Sequence, residues 1–257
     1  MSSLTATFLG TGTSHGIPVI GCSCSVCTST DPHDRRLRSS IYLEDGSSSI
    51  VIDTGPEFRL QALSNGITEL SAVFYTHDHA DHLNGIDDLR PFCKNAALPV
   101  YASQRVIDLI RQRFPYVESG DIVINGRPHL DLRAIEAYET VRIEDIDVTA
   151  IPIMHGDSEI FAYRVGELAY VTDCSELPQK SVDYLMDLEV LVVGALRRSP
   201  HPNHFSLFEA LGLIKYTRPK VAYLTHLSHG LSHHELESEL PSGVYGGYDG
   251  LKIPVGG

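Results

Sequence analysis

The stretch Ala72-Val73-Phe74-Tyr75-Thr76-His77-Asp78-His79-Ala80-Asp81-His82 decides the fold. Its first half is apolar and rich in β-forming residues, so Ala72–Tyr75 reads as a buried strand. Metal-ligand side chains follow at once: His77, His79, Asp81 and His82. A polar helix start needs one Asp as its cap and has no use for several imidazoles beside it. Histidine is the commonest metal-binding side chain. Alternate residues on an extended turn aim His77 and His79 at one ion. Asp81 and His82, at the start of the next helix, face a second.

Working outward, other short β-type runs recur at Thr5–Leu9, Ser49–Ile52, Asp147–Ile151, Ala169–Val171, Val190–Val193 and Val221–Leu224. Helical patterns lie between them, at Ser103–Arg113, Gln179–Met186 and Ser206–Tyr216. This mixed order predicts sheets covered by helices. The strand ends form a weak internal duplication. Ser49–Ile52 ends at Asp53 and Ala169–Thr172 at Asp173; Val73–Thr76 ends at His77 and Ala222–Thr225 at His226. Two sheets related by a pseudo-twofold would deliver all four to one edge on rigid supports, as metal geometry requires.

The HxHxDH pattern after a strand resembles the signature of the metallo-β-lactamase superfamily. The rest of that signature follows in order, with Asp53 in Val51-Ile52-Asp53-Thr54-Gly55, His155 in Pro152-Ile153-Met154-His155-Gly156, Asp173 in Tyr170-Val171-Thr172-Asp173 and His226 in Leu224-Thr225-His226. The resemblance implies an α/β fold, a four-layer αββα sandwich, formed as a single domain over residues 1–257. It implies that His77, His79 and His155 bind one divalent metal, that Asp81, His82 and His226 bind another, and that Asp173 bridges them. Asp53 is implied to orient a ligand. Two ions about 3.5–4 Å apart share a water and lower its pKa from about 16 toward about 7, giving a bridging hydroxide as nucleophile. Such mixed ligands suit Zn²⁺, Mn²⁺ or Fe²⁺, and Zn or Mn is expected.

Cys22-Ser23-Cys24-Ser25-Val26-Cys27 is a second motif. Tight spacing within an odd total of five Cys reads as metal binding and not as disulfides. Cys93 and Cys174 read as buried free thiols. The start, Gly10-Thr11-Gly12-Thr13-Ser14-His15-Gly16-Ile17-Pro18 with Gly21-Cys22-Ser23-Cys24, is similar to that of the cyclic phosphodiesterases of the carbon–phosphorus lyase pathway. So is the end, Thr225-His226-Leu227-Ser228-His229 with Gly247-Tyr248-Asp249-Gly250. That resemblance implies a structural zinc on Cys22, Cys24, Cys27 and His229, bracing the loop that carries His226. It also gives His204, in His201-Pro202-Asn203-His204-Phe205-Ser206, the position of a general acid. His204, Asp81 and Asp53 are thus the expected catalytic residues. The glycine-rich Gly10–Gly16 lacks the Lys of a phosphate loop and reads as a tight turn. His15, His33, His129, His201, His233 and His234 are expected at the surface or behind the ligands.

The formal net charge of −13 argues against a broad nucleic-acid surface. The local basic groups Arg35-Arg36-Leu37-Arg38 and Arg197-Arg198 read as solvated features. No apolar run is long enough to cross a membrane, and Met1-Ser2-Ser3-Leu4 shows no secretory pattern, so a cytoplasmic location is expected. The leading function is hydrolysis of a small, cyclic phosphodiester; a homodimer is left open. The rivals are an RNA-processing nuclease or thioesterase of the same fold, and a non-catalytic relative of a quinone-cofactor biosynthesis protein. Residues 111–145 have no counterpart in the resemblance and are expected to shape the pocket.

Overall fold

The computed structural model describes residues 4–94, 96–118 and 126–256. The start at Met1–Ser3 and residues 119–125 of the 111–145 segment lie outside them. The first half of the chain gives β1 (Leu4–Gly10), β2 (Ser40–Glu44), β3 (Ser49–Ile52), β4 (Ala72–Phe74), β5 (Leu98–Ala102) and β6 (Leu130–Ala134). The second half gives β7 (Thr140–Ile143), β8 (Ile146–His155), β9 (Ser158–Val165), β10 (Leu168–Val171), β11 (Val190–Gly194), β12 (Val221–Thr225) and β13 (Val244–Gly246), and β14 (Lys252–Val255) closes the chain. They form two seven-stranded sheets, ordered β14-β1-β2-β3-β4-β5-β6 and β13-β12-β11-β10-β9-β8-β7.

Side-chain alternation explains the layering. Ile50, Ile52, Ala72 and Phe74 face inward with Val190 and Val192, making a core between the sheets. Their neighbours point the other way: Val51 and Val73 toward an outer core of the first sheet, Leu191 and Val193 toward that of the second. A strand buried on both faces must be apolar at every position, which is why these runs carry no polar alternation. The outer faces are covered by α1 (Phe58–Asn65), the single turn α2 (Ala80–Leu83) and α3 (Gln104–Arg113), and by α4 (Gln179–Asp183), α5 (Leu207–Thr217) and α6 (His233–Glu239). Phe58, Ala62, Val106 and Ile110 pack on the first sheet, and Leu207, Ala210, Ile214 and Leu236 on the second. The architecture is the expected four-layer αββα sandwich.

Several boundaries differ from expectation for local reasons. Ser103 and Ser206 are N-caps, accepting from the Val106 and Glu209 amides, so their helices begin one residue later. Ser206 and Glu209 complete a capping box. The expected helix Gln179–Met186 stops at Asp183, because the Tyr184 and Leu185 amides close tight turns onto Ser181 and Val182. The basic run at Arg35–Arg38 is a clear correction. The Arg36 side chain is fully buried, 3.2 Å from Asp34, and its guanidinium donates to the His33 and Ser228 carbonyls. It is an internal tie and not a solvated charge; burial lowers its pKa, and Asp34 and Asp249 oppose that only in part. Arg38 pairs with Glu57 and donates to the Ser14 carbonyl. Cys93 and Cys174 are buried free thiols, as expected.

Strand direction places the site. β3, β4 and β5 run parallel in one sheet, and β10, β11 and β12 run parallel in the other. Their C-terminal ends therefore line up within each sheet, and the residues just beyond them are Asp53, His77, Asp173 and His226.

Candidate metal centre

Three of these strand-end residues, Asp53, Asp173 and His226, have positive φ of 64°, 54° and 54°. Side chains with a Cβ adopt this left-handed region at a cost of about 1–2 kcal/mol each. The turn it creates swings each side chain off the sheet and over its edge. On the first sheet the turn is also packed backbone to backbone. A Cβ on Gly55 would lie 2.2 Å from the Asp81 carbonyl oxygen, and one on Gly85 would lie 2.1 Å from the Gly55 carbonyl. Only glycine allows the loop after Asp53 to sit this close to the loop carrying Asp81.

The ligand-type atoms gather as three overlapping groups: His77, His79 and His155; Asp81, His82, Asp173 and His226; and His155, Asp173 and His204. Within each group the donor atoms all lie within 4.8 Å of one another. The structure thus places these residues near one another, with Asp173 at the junction. Its Oδ1 lies 3.3 Å from His82 Nε2, its Oδ2 lies 3.3 Å from His226 Nε2, and its carbonyl is 2.9 Å from His155 Nδ1.

Hydrogen bonds behind the rings fix which nitrogen faces the centre. His82 Nδ1 is 2.7 Å from Asp53 Oδ2. Asp53 also accepts from the Thr76 amide and hydroxyl, at 2.9 and 2.8 Å. Because the Thr76 hydroxyl donates to Asp53, it accepts from His77 Nδ1 at 2.9 Å. His155 Nδ1 meets only carbonyls, of Asp173 and Asn203, and so donates. In each ring the proton is held at Nδ1, leaving the Nε2 lone pair inward. The Nε2 atoms of His77, His82 and His226 are buried and make no hydrogen bond. Orphaned buried polar atoms are costly. Lone pairs converging with carboxylates is what a divalent cation resolves, so the residues fit the metals the fold implies.

The charges say the same. Burial disfavours a charged His82, yet Asp173, Asp53 and Asp81 outweigh it and raise its pKa well above the usual imidazole value. Burial opposes ionised Asp81 and Asp173 as well. The histidines around them win, holding both carboxyls well below the usual range. A pocket that binds a proton this firmly between carboxylates binds a metal cation for the same reason.

The second motif also assembles. His229 Nδ1 lies 3.3, 3.5 and 3.5 Å from the sulfurs of Cys22, Cys24 and Cys27. No disulfide links them. Three sulfurs and one imidazole nitrogen match a closed structural zinc set. The Cys27 amide, donating to the Cys24 sulfur, is the main influence that lowers the Cys24 thiol to about 6, whereas burial pushes Cys27 up to about 11. The glycine-rich segment that leads to the Cys loop is sewn to the His226 loop by reciprocal amide bonds between Thr11, Thr13 and Leu227.

His204 stands beside the centre. Its ring is 4.7 Å from His155 and 4.9 Å from His226, and its Nδ1 is 3.6 Å from Asp173 Oδ2. Burial, then His226, brings its pKa down to about 3. His201 packs against it at 5.0 Å.

Some participants carried no readable signal. Thr76 completes the chain from Asp53 to His77 and lies inside the motif, but nothing in its type marks it. Arg113 donates to the Asp78 carbonyl and the Asn84 side chain, tying α3 to the metal loop. Asp78 points away, 3.3 Å from Arg105. Of the 111–145 segment, Arg113 thus reaches the site's rim, while β6 and β7 are the outermost strands of their sheets.

The family described as Beta-lactamase superfamily domain matches residues 48–227, and the chain belongs to that superfamily. It is also 38% identical to a crystallised diphosphatase of the PhnP family, with a TM-score of 0.92 over 98% of this chain and 97% of that one, which places it in the PhnP family. Zn²⁺-bound PqqB from Methylobacterium extorquens shares the fold, with a TM-score of 0.79 at 17% identity over 97% of this chain and 99% of that one. An octanoyltransferase of Porphyromonas gingivalis (strain ATCC BAA-308 / W83) is 40% identical over 250 residues, 96% of this chain. The chain spans about half of that curated relative, 51% of its length.

Proposed function

We propose that this chain is a metal-dependent phosphodiesterase acting on a small, cyclic phosphodiester. The observation that carries this reading is His204, a ring gathered with His155 and Asp173 at the edge of the two metal sets implied by the sequence. A phosphorus–oxygen substrate is supported by the PhnP-family relative described as a diphosphatase.

His77, His79 and His155 would hold one divalent ion, Asp81, His82 and His226 the other, with Asp173 between them; zinc and manganese suit the set. When bound, the ions supply Lewis acidity, acidifying a water and neutralising the phosphate oxygens. The protein's part is to fix that arrangement and manage protons. Asp53 and Thr76 lock the tautomers of His82 and His77. Arg113 holds the motif backbone from outside. His204 is neutral by itself at neutral pH, since its pKa lies near 3. An anionic phosphodiester beside it would favour the protonated ring, the form that could pass a proton to the leaving alkoxide. Cys22, Cys24, Cys27 and His229 would hold a separate zinc that stiffens the His226 loop.

Metal-replete protein offered cyclic phosphodiesters, linear dinucleotides and acyl thioesters should turn over the cyclic phosphodiesters with the highest kcat/KM. Preference for the thioesters, or no turnover of any ester, would remove the assignment. The thioester arm is included because one relative is named an octanoyltransferase. Acyl transfer needs an accepting nucleophile, and the thiols here are either gathered on His229 or buried at 3% and 1% exposure.

His204→Ala should lose about 10²–10⁴-fold with an alkoxide leaving group and far less with a nitrophenolate, which needs no proton. Equal losses on both would take the acid role away from His204.

A further inference from the structure

A separate cavity of about 200 Å³ opens beside β12 and β13, and its lining shares no residue with either metal cluster. It is lined by Tyr223, Tyr245, Tyr248, His233, Glu237 and Gly246, with Leu251 at its base. Tyr223 and Tyr245 are register partners on β12 and β13, so they share one face, with ring centroids 5.7 Å apart. Tyr248 comes from the chain leading into β14. One side of its ring is covered by His33 at 4.2 Å, and His233 stands at 90° to it, 5.8 Å away. No Lys or Arg lines the cavity. Its one charged side chain is Glu237, whose Oε1 accepts from the Gly246 amide at 2.7 Å.

We propose that this cavity binds a small organic ammonium ion of the amino-alcohol type, held on the faces of Tyr223, Tyr245 and Tyr248 with Glu237 as counter-charge. Aromatic faces carry negative quadrupole density, and several around one point select an alkylated ammonium over a neutral group of the same shape. The carboxylate adds long-range attraction within an acidic chain of net charge −13. His233 supplies a second, independent pointer. The residue is 8% exposed, and its Nδ1 has no hydrogen-bond partner. That Nδ1 lies 3.3 Å from where a Cβ on Gly246 would sit, so it faces a lining position that glycine leaves open. A ligand hydroxyl gives that nitrogen the partner it lacks.

The test is titration calorimetry on the metal-loaded full chain with choline chloride, and with 3,3-dimethylbutan-1-ol as its uncharged isostere. Choline should saturate one site, and the isostere should bind roughly tenfold more weakly or not at all. Tyr245→Ala, at a partly exposed ring, should weaken choline about fivefold, the scale of one lost cation–π face. Glu237→Gln, which keeps the bond to Gly246, should weaken it measurably, and it decides the matter if Tyr245→Ala does not fold. Both variants should keep the hydrolytic activity of the parent. Equal affinity for the isostere, choline binding untouched by both substitutions, or binding to phosphatidylcholine vesicles without binding to free choline would each overturn the proposal.

Discussion

Replacing Asp173 with alanine is expected to cut turnover about 10³-fold, equivalent to roughly 4 kcal/mol of barrier, and to lower the metal content by one ion per chain. The carboxylate belongs to one cluster of ligand-type atoms with Asp81, His82 and His226 and to another with His155 and His204. It approaches His82, His226 and His204 at 3.3, 3.3 and 3.6 Å, and the Thr172 hydroxyl donates to it at 2.6 Å. Without it, imidazoles face one another across a buried space with less anionic charge to hold cations. Asp173→Asn separates charge from shape. Asn tolerates the left-handed backbone and keeps the hydrogen bond from Thr172, so it should fold like the parent and still lose activity. Asp78→Asn is the internal control, because that motif acid points toward Arg105. Metal analysis and kinetics on the three variants decide the matter. An Asp173→Ala protein that keeps all its metal and works within about tenfold of the parent (some 1.4 kcal/mol of barrier) would show that the two groups do not share this residue.

The second large effect is expected at the cysteines. Cys24→Ser should remove one zinc per chain and lower the melting temperature by about 6–12 °C, the shift that roughly 3 kcal/mol gives in a chain of this size. Structural zinc contributes about 10–16 kcal/mol in isolated zinc-finger peptides. Here less is lost, because other bonds also close the loop: Leu227 with Thr11 and Thr13, and buried Arg36 with the Ser228 carbonyl. Activity should fall too, since His229 is on the loop that presents His226. Cys93→Ser, a buried thiol outside the cluster, should leave the zinc count unchanged. Parent protein whose three loop thiols all react freely, and which purifies without zinc, would end this reading.

Much of the centre could be read in the chain because its ligands are local. His77, His79, Asp81 and His82 follow one strand, and Asp53, Asp173 and His226 each close an apolar run whose burial on both faces makes it continuous. What escaped was long-range. Arg36 sits in a basic run that looks solvated, and its burial depends on Ser228, 192 residues away. Arg113 reaches Asp78 from 35 residues off, at the end of a helix whose pattern speaks only of packing. Thr76 is an ordinary strand residue until Asp53 and His77 lie on either side of it. The early stop of α4 reflects tight turns at Tyr184 and Leu185 that no breaker residue announces. Pattern reports what a residue does with its near neighbours; these contacts exist only after the sheets have formed.

One pairing has a consequence for how the molecule comes to exist. β1 lies between β2 and β14, and Asp249 accepts from the Thr11 amide and hydroxyl across 238 residues and from the Leu37 amide across 212. At ribosomal speeds of about 5–20 residues per second, β1 waits roughly 12 to 50 s for its outer neighbour to be made. During that wait one edge of an apolar strand is open to any passing strand. Birth of the protein is therefore the period of greatest aggregation risk, and a holding chaperone would matter more during synthesis than at any later time.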